Sequence, residues 1–274
     1  MQGLSWSPPG GVLGRLCARA YDRAQLLNRD AILAAIGDRE HAVPAPSLLA
    51  ALGAGNEVAI VAELKRRSPS KGLLRAELAP AERARAYATG GARALSVLTE
   101  PDEFGGSPQD LTMAREATRL PSLKKDFHVS TIQVWEAKAL QASALLLIAR
   151  ALGPGRLDEM MNECRRAGIE ALVEVRSQGE LSWALNSGAA LIGVNSRDLE
   201  TLAVDPEVHA RLLPQIPAAC VAVAESGVAS RMDVSRAALQ GADAVLVGSF
   251  LSRASDPVRA TSALTGVARV TRAS

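Results

Sequence analysis

From Val58 onward the chain alternates between two textures. Short runs rich in Val, Ile, Leu and Ala are separated by longer stretches whose apolar residues recur with helical spacing, which is the rhythm of βα units on a parallel sheet. Eight runs read as strands: Val58–Leu64, Ala94–Thr99, Ser122–Lys125, Ala144–Ile148, Ala171–Val175, Leu191–Val194, Cys220–Ala224 and Ala244–Val247. Because they are nearly continuous in hydrophobicity, they predict strands covered on both faces. Ser107-Pro108, Asp205-Pro206 and Asp256-Pro257 each supply a capping side chain followed by a proline suited to the first helical position. Ser177 and Glu180 have capping-box spacing, and Gly168, Gly188 and Gly241 stand where helices can end in a left-handed conformation.

Eight covered parallel strands predict an α/β fold, a (β/α)8 TIM barrel. An open doubly wound sheet would usually carry a glycine-rich turn after its first strand, whereas here Arg66-Arg67-Ser68-Pro69-Ser70 follows. Residues 1–57 read as an N-terminal helical extension and connector, helical around Leu13–Leu27 and Ala31–Ile36 and Pro/Ser-containing over Val43–Ser47. The expectation is a single domain over 1–274, with the extension packed on a barrel spanning 58–274.

Composition adds exclusions. The length of 274 residues suits a barrel of about 250. With 48% apolar residues, 22% charged and a net charge of +2, nothing favours a nucleic-acid or membrane partner, and 3% aromatic residues leave no stacking platform for bases. Cys17, Cys164 and Cys220 are odd in number and lack CxxC spacing, so neither a disulfide framework nor a zinc site is expected and a reducing cytoplasm is the simplest home. Residues 1–10 lack a basic start followed by an apolar stretch, and Ala144 to Ala149 is too short to cross a bilayer. No metal cluster or dinucleotide fingerprint is visible, so no cofactor is expected, and the sparse aromatic surface favours a monomer.

Candidate chemistry lies at the strand ends. In order they carry Glu63 and Lys65, Glu100, Lys125, Glu174, Asn195, Glu225-Ser226 and Gly248-Ser249. Any one of these could be a solvated strand end; their recurrence around one barrel mouth points to an active site. Ser226-Gly227 and Gly248-Ser249 follow the last two strands, where small residues let backbone N–H groups approach a phosphate. The loop from Lys65 to Gly72 can deliver Lys65, Ser68 and Lys71 toward an anionic substrate. Trp135, Trp183 and Cys164 fall in helical patterns and read as packing residues, and His128 is the one histidine near the mouth.

Taken in order, Glu63-x-Lys65-x-x-Ser68-Pro69-Ser70-Lys71-Gly72, Ser96 to Glu100 with Phe104-Gly105-Gly106-Ser107, Lys125-Asp126-Phe127, Leu172 to Val175, Ile192 to Leu199, Ala224-Glu225-Ser226-Gly227 and Val247-Gly248-Ser249 closely resemble the indole-3-glycerol-phosphate synthase family. The resemblance implies ring closure of 1-(2-carboxyphenylamino)-1-deoxyribulose 5-phosphate with loss of carbon dioxide and water, in tryptophan biosynthesis. It implies Lys125 as the acid at the substrate ketone. Lys65 and Glu174 would divide the dehydration, and Glu63 would poise the lysine. Either Glu63 or Glu174 is open as the base. It further implies Asn195 on the sugar-derived hydroxyls, Phe104 and Phe127 beside the anthranilate ring, and Arg197 holding the sixth strand end. Ser68, Ser226, Gly227, Gly248 and Ser249 would hold the phosphate. Lys124 stands where an arginine is common, and His128 where an aliphatic residue is. A phosphoribosylanthranilate isomerase would instead need a cysteine or aspartate pair at the mouth, which the three cysteines do not supply. A non-catalytic partner barrel would have no need of Lys65, Lys125 and Glu174.

Overall fold

The computed structural model describes residues 6–38, 43–68, 72–73 and 79–272, without the side chains of Ser68 and Leu73. The eight strands are β1 (Ala59–Leu64), β2 (Ala94–Leu98), β3 (Ser122–Lys125), β4 (Ala144–Ile148), β5 (Glu170–Val175), β6 (Leu191–Asn195), β7 (Val221–Glu225) and β8 (Ala244–Val247). Each pairs in parallel with its neighbours in sequence, and β1 closes on β8 through Ala59 opposite Ala244, so the sheet is a complete barrel. Closure leaves no edge, and helices cover the outer face, which explains the unbroken apolar runs. The expected strands coincide with the observed ones to within one residue at either end.

Helices follow their start signals. Ser107 accepts a hydrogen bond from the Asp110 N–H and Pro108 occupies the first turn of the helix Pro108–Ala117; Asp256 caps the helix Pro257–Ser262 in the same way. Two expectations need correction. Asp205 caps as expected, its carboxylate taking the Glu207 N–H at 3.0 Å, but the helix Glu207–Leu212 begins one residue later than expected, after Pro206. At the helix Gln178–Asn186, Ser177 accepts from Glu180 N–H as expected, but the Glu180 carboxylate reaches back to Arg176 N–H at 2.7 Å, one residue beyond the box.

The extension supplies α1 (Gly11–Gln25), α2 (Arg29–Gly37) and a further short helix, α3 (Leu48–Gly53), capped by Ser47. Leu13, Leu16, Cys17, Ala20 and Ala24 form the buried stripe of α1 at helical spacing. The free N–H groups of Val12 and Leu13 at its start are taken by the Glu200 carboxylate, at 2.6 and 3.1 Å, from the loop after β6. At the opposite end of the barrel the C-terminal segment crosses the strand starts, with Val58 N–H donating to Val267 and Arg269 N–H to Asn56. Among the described residues no helix is long and apolar enough to cross a membrane.

Candidate active site

In a strand, residues two apart point the same way. Glu63 and Lys65 at the end of β1 therefore share a side, as do Lys125 and Phe127 at the end of β3. Both pairs line one cavity of about 760 Å³ at the C-terminal mouth, together with Glu174 from β5, Asn195 from β6 and Glu225 from β7. Phe104, Arg197, Ser226, Gly227, Gly248 and Ser249 line the same space. Ser68 lies in a two-residue strand paired with Gly72, its side chain outside the described residues, as are Pro69, Ser70 and Lys71.

The charged groups form two clusters. Lys65 pairs with Glu63 at 2.5 Å, and Lys125 donates to both Glu174 and Glu225, each at 3.2 Å. Burial by itself would favour neutral Lys125, but the carboxylates of Glu225, Glu174 and Glu63 outweigh it and hold the ammonium above the usual lysine range. Burial pushes Glu225 up to about 7, offset in part by Lys125 and reinforced by Glu174. Its Oε1 is buried without a partner among the described residues. A proton held there at neutral pH would ease the repulsion between the carboxylates crowding one ammonium. Glu225 was visible at a strand end but carries no role in the sequence reading; its pairing with Lys125 joins positions 100 residues apart.

Two glycines make this crowding possible. A Cβ on Gly193 would stand 2.0 Å from Glu225 Oε1, and one on Gly248 would stand 2.1 Å from Glu63 Oε1 and 2.7 Å from Lys65 Nζ. Gly248 was expected to serve a phosphate; what the structure shows is that it gives the Glu63–Lys65 pair its room. Ser226 is held at φ 68° and Gly227 at φ 80°, a left-handed pair that costs about 1 kcal/mol or more at the serine. Ser226 Oγ donates to Asn195 Oδ1 at 2.9 Å, and Arg197 N–H donates to the same oxygen at 2.9 Å. The Asn195 amide is thereby oriented at the wall of the cavity. Arg197 itself donates to Leu202 carbonyl at 2.8 Å and so braces the loop after β6.

Lys124, Asp126 and His128 have the opposite parity to Lys125. Lys124 is buried between Glu136 at 3.1 Å, Asp126 at 3.7 Å and His128 Nε2 at 3.2 Å, and His128 Nδ1 bonds Leu146 carbonyl at 2.7 Å. Burial and the Lys124 charge pull the imidazole down to about 3. His128 is therefore a neutral bridge behind the site and does not line the cavity. Val12, Arg15 and Leu16 of α1 do line it, which sequence spacing around the barrel had no means to indicate. Among the described residues no cluster of three or more His, Cys, Asp or Glu could hold a metal.

The chain is similar to known proteins over most of its length. A family model described as indole-3-glycerol phosphate synthase matches residues 22–264. The chain is 46% identical over 259 residues to the indole-3-glycerol phosphate synthase 2 of Streptomyces coelicolor, covering 93% of this chain and 99% of that protein. It is 49% identical over 208 residues to the indole-3-glycerol phosphate synthase of a Nocardioides species, covering 76% and 80% of the two chains. Among solved structures, the thiamine phosphate pyrophosphorylase of Pyrococcus furiosus superposes with a TM-score of 0.56 at 19% identity, over 76% of this chain and 93% of that one; this likeness shows the barrel alone. With the two lysine–glutamate clusters seated in one cavity and the family pattern running from the first helix to the last, the chain belongs to the indole-3-glycerol phosphate synthase family.

Proposed function

We infer from the site that four side chains, Lys125, Glu174, Lys65 and Glu63, carry the family's reaction. The protein is a carboxy-lyase of tryptophan biosynthesis acting on a small phosphorylated substrate. It converts 1-(2-carboxyphenylamino)-1-deoxyribulose 5-phosphate into indole-3-glycerol phosphate, carbon dioxide and water. The ring carbon bearing the carboxylate attacks the ketone carbon; Lys125 gives its proton to the ketone oxygen as the new carbon–carbon bond forms. The carboxylate leaves as carbon dioxide, and its bonding electrons restore the aromatic ring. The new hydroxyl then departs as water with a proton from Lys65, while Glu174 removes a proton from the adjacent carbon to complete the double bond.

The observation that carries this reading is the Lys125 ammonium gripped by two buried carboxylates. A group so placed stays protonated in the resting site, as a donor to a ketone must be. Glu63, in direct contact with Lys65, would poise that lysine, and Glu174 would act as the base. Asn195 would orient the sugar-derived hydroxyls, Phe104 and Phe127 would flank the aryl ring, and Arg197 would hold the loop beside them. Ser68, Ser226, Gly227, Gly248 and Ser249 would receive the phosphate. The proton transfers need no metal or cofactor, and we take the protein to be a cytoplasmic monomer, a state that sedimentation at working concentration tests.

Lys125→Ala should lower kcat by about a thousandfold, within the range for loss of a general acid, when formation of the indole is followed by fluorescence. Inorganic phosphate should bind the variant within twofold of the unaltered protein. Turnover at the unaltered rate would remove Lys125 from the acid's place.

A further inference from the structure

Helix α1 reaches the mouth with Val12 and Leu16 on the face that lines the cavity, and Arg23 lies two turns further along that face. Arg23 Nη2 is 3.0 Å from Asp126 Oδ1, and Nη1 lies 3.6 Å from Glu100 Oε1 and 3.6 Å from Asp102 Oδ2. Each of the first two carboxylates holds the backbone of one aromatic residue. Asp126 Oδ1 accepts the Phe127 N–H at 2.8 Å, and Glu100 Oε2 accepts the N–H groups of Glu103 and Phe104 at 2.8 and 3.1 Å. One guanidinium thus stands at the junction of the two chains of contacts that end in Phe104 and Phe127, both of which line the cavity.

We propose that Arg23 is a positioning residue that sets the separation of Phe104 and Phe127, and through them the fit of the substrate's aryl ring; this rests on the reading of the site given above. Neutralising the acids does not by itself require Arg23. Asp126 already faces Lys124 at 3.7 Å and takes the Thr99 hydroxyl at 2.8 Å, and Glu100 already takes three backbone N–H groups of its own loop. Holding the helix in place does not require Arg23 either, because Glu200 clips the start of α1 and its apolar stripe is buried. What the planar guanidinium adds is a two-sided span: Nη2 hydrogen-bonds Asp126, while the buried Nη1, which makes no hydrogen bond among the described residues, faces Glu100 and Asp102 at ion-pair distance, a geometry that a single ammonium cannot reproduce. Small displacements of the groups that orient a substrate carry large penalties in rate.

The test compares two ligands on Arg23→Gln and the unaltered protein by titration calorimetry. One is 1-(2-carboxyphenylamino)-1-deoxyribitol 5-phosphate, which has the aryl ring and phosphate but no ketone to close; the other is inorganic phosphate. The substitution should weaken the ribitol compound about tenfold and phosphate by less than twofold, with KM rising more than kcat falls. On a Phe104→Leu background the same substitution should cost less, because the two sites are coupled. Equal weakening of both ligands would overturn the proposal, as would unchanged affinities with only a lower melting temperature. If Arg23→Gln does not fold, Arg23→Lys carries the comparison: a smaller loss confined to the ribitol compound is expected, and unaltered affinity for it would be fatal. Failure of the unaltered protein to turn over the ketone substrate would instead strike the assigned reaction, and the selective aryl loss would still report on Arg23.

Discussion

Which of two adjacent charged residues can do chemistry is decided by the pleat. Lys124 and Lys125 are neighbours of identical type, yet one is locked behind the barrel wall by Glu136 and His128 and the other faces the cavity between Glu174 and Glu225. Lys125 was singled out in the sequence as a strand-end lysine, whereas the place of Lys124 behind the site was not read there. Nor was the state of Glu225, because a raised pKa comes from burial and from carboxylates brought in by other strands. Its folded pKa of about 7 exceeds the ordinary 4.5, so its stabilising contribution is full below about 4.5 and is lost as the pH rises through 7. Across that window the loss should approach roughly 3 kcal/mol. The melting temperature of the unaltered protein should therefore fall from pH 5 to pH 8 relative to that of Glu225→Gln. Parallel curves for the two proteins would show that Glu225 titrates normally.

At the level of elements, strand starts and stops were readable because they rest on local chemistry: apolar runs, Ser or Asp caps, and prolines. The helix bound after Asp205 and the capping box at Glu180 each differ from expectation by one residue, within the reach of the same local bonds. The role of Gly193 was hidden. Within a strand a glycine costs stability and signals only close approach of something, and here the neighbour is a carboxylate from the adjacent strand β7. Gly193→Ala should push Glu225 out of line with Lys125. We expect kcat to fall by about a hundredfold with folding largely retained, since overpacking of this kind costs about 1 to 3 kcal/mol. Steady-state rates beside circular-dichroism melting would check this, and a normal kcat would mean that Glu225 has room to move without consequence.

For the whole molecule, chemistry and stability occupy opposite ends of the barrel. Arg272, near the end of the chain, is nearly buried at the strand-start face, where it donates to Asp243 at 2.8 Å, Ile216 carbonyl at 3.0 Å and Cys220 carbonyl at 2.5 Å, with a further contact to Gly241 carbonyl. Removing it leaves a carboxylate and several carbonyls without their donor. Arg272→Ala should cost about 2 to 4 kcal/mol and lower the melting temperature by roughly 5 to 12 °C, with kcat at a permissive temperature unchanged. A large loss of kcat in folded protein would contradict this division of labour.

The sequence by itself determined the number and order of the strands, their closure into a barrel, the strand ends at which charge falls, and the resemblance that names the reaction. All of these follow from interactions within a few residues or from repetition of one local unit. Only the tertiary structure decided that Glu225 shares Lys125 with Glu174, that α1 lines the mouth, and that Arg23 joins the loops bearing Phe104 and Phe127. Those contacts join residues far apart in the chain, and burial, which sets how strongly the charges act on one another, exists only once the barrel has closed.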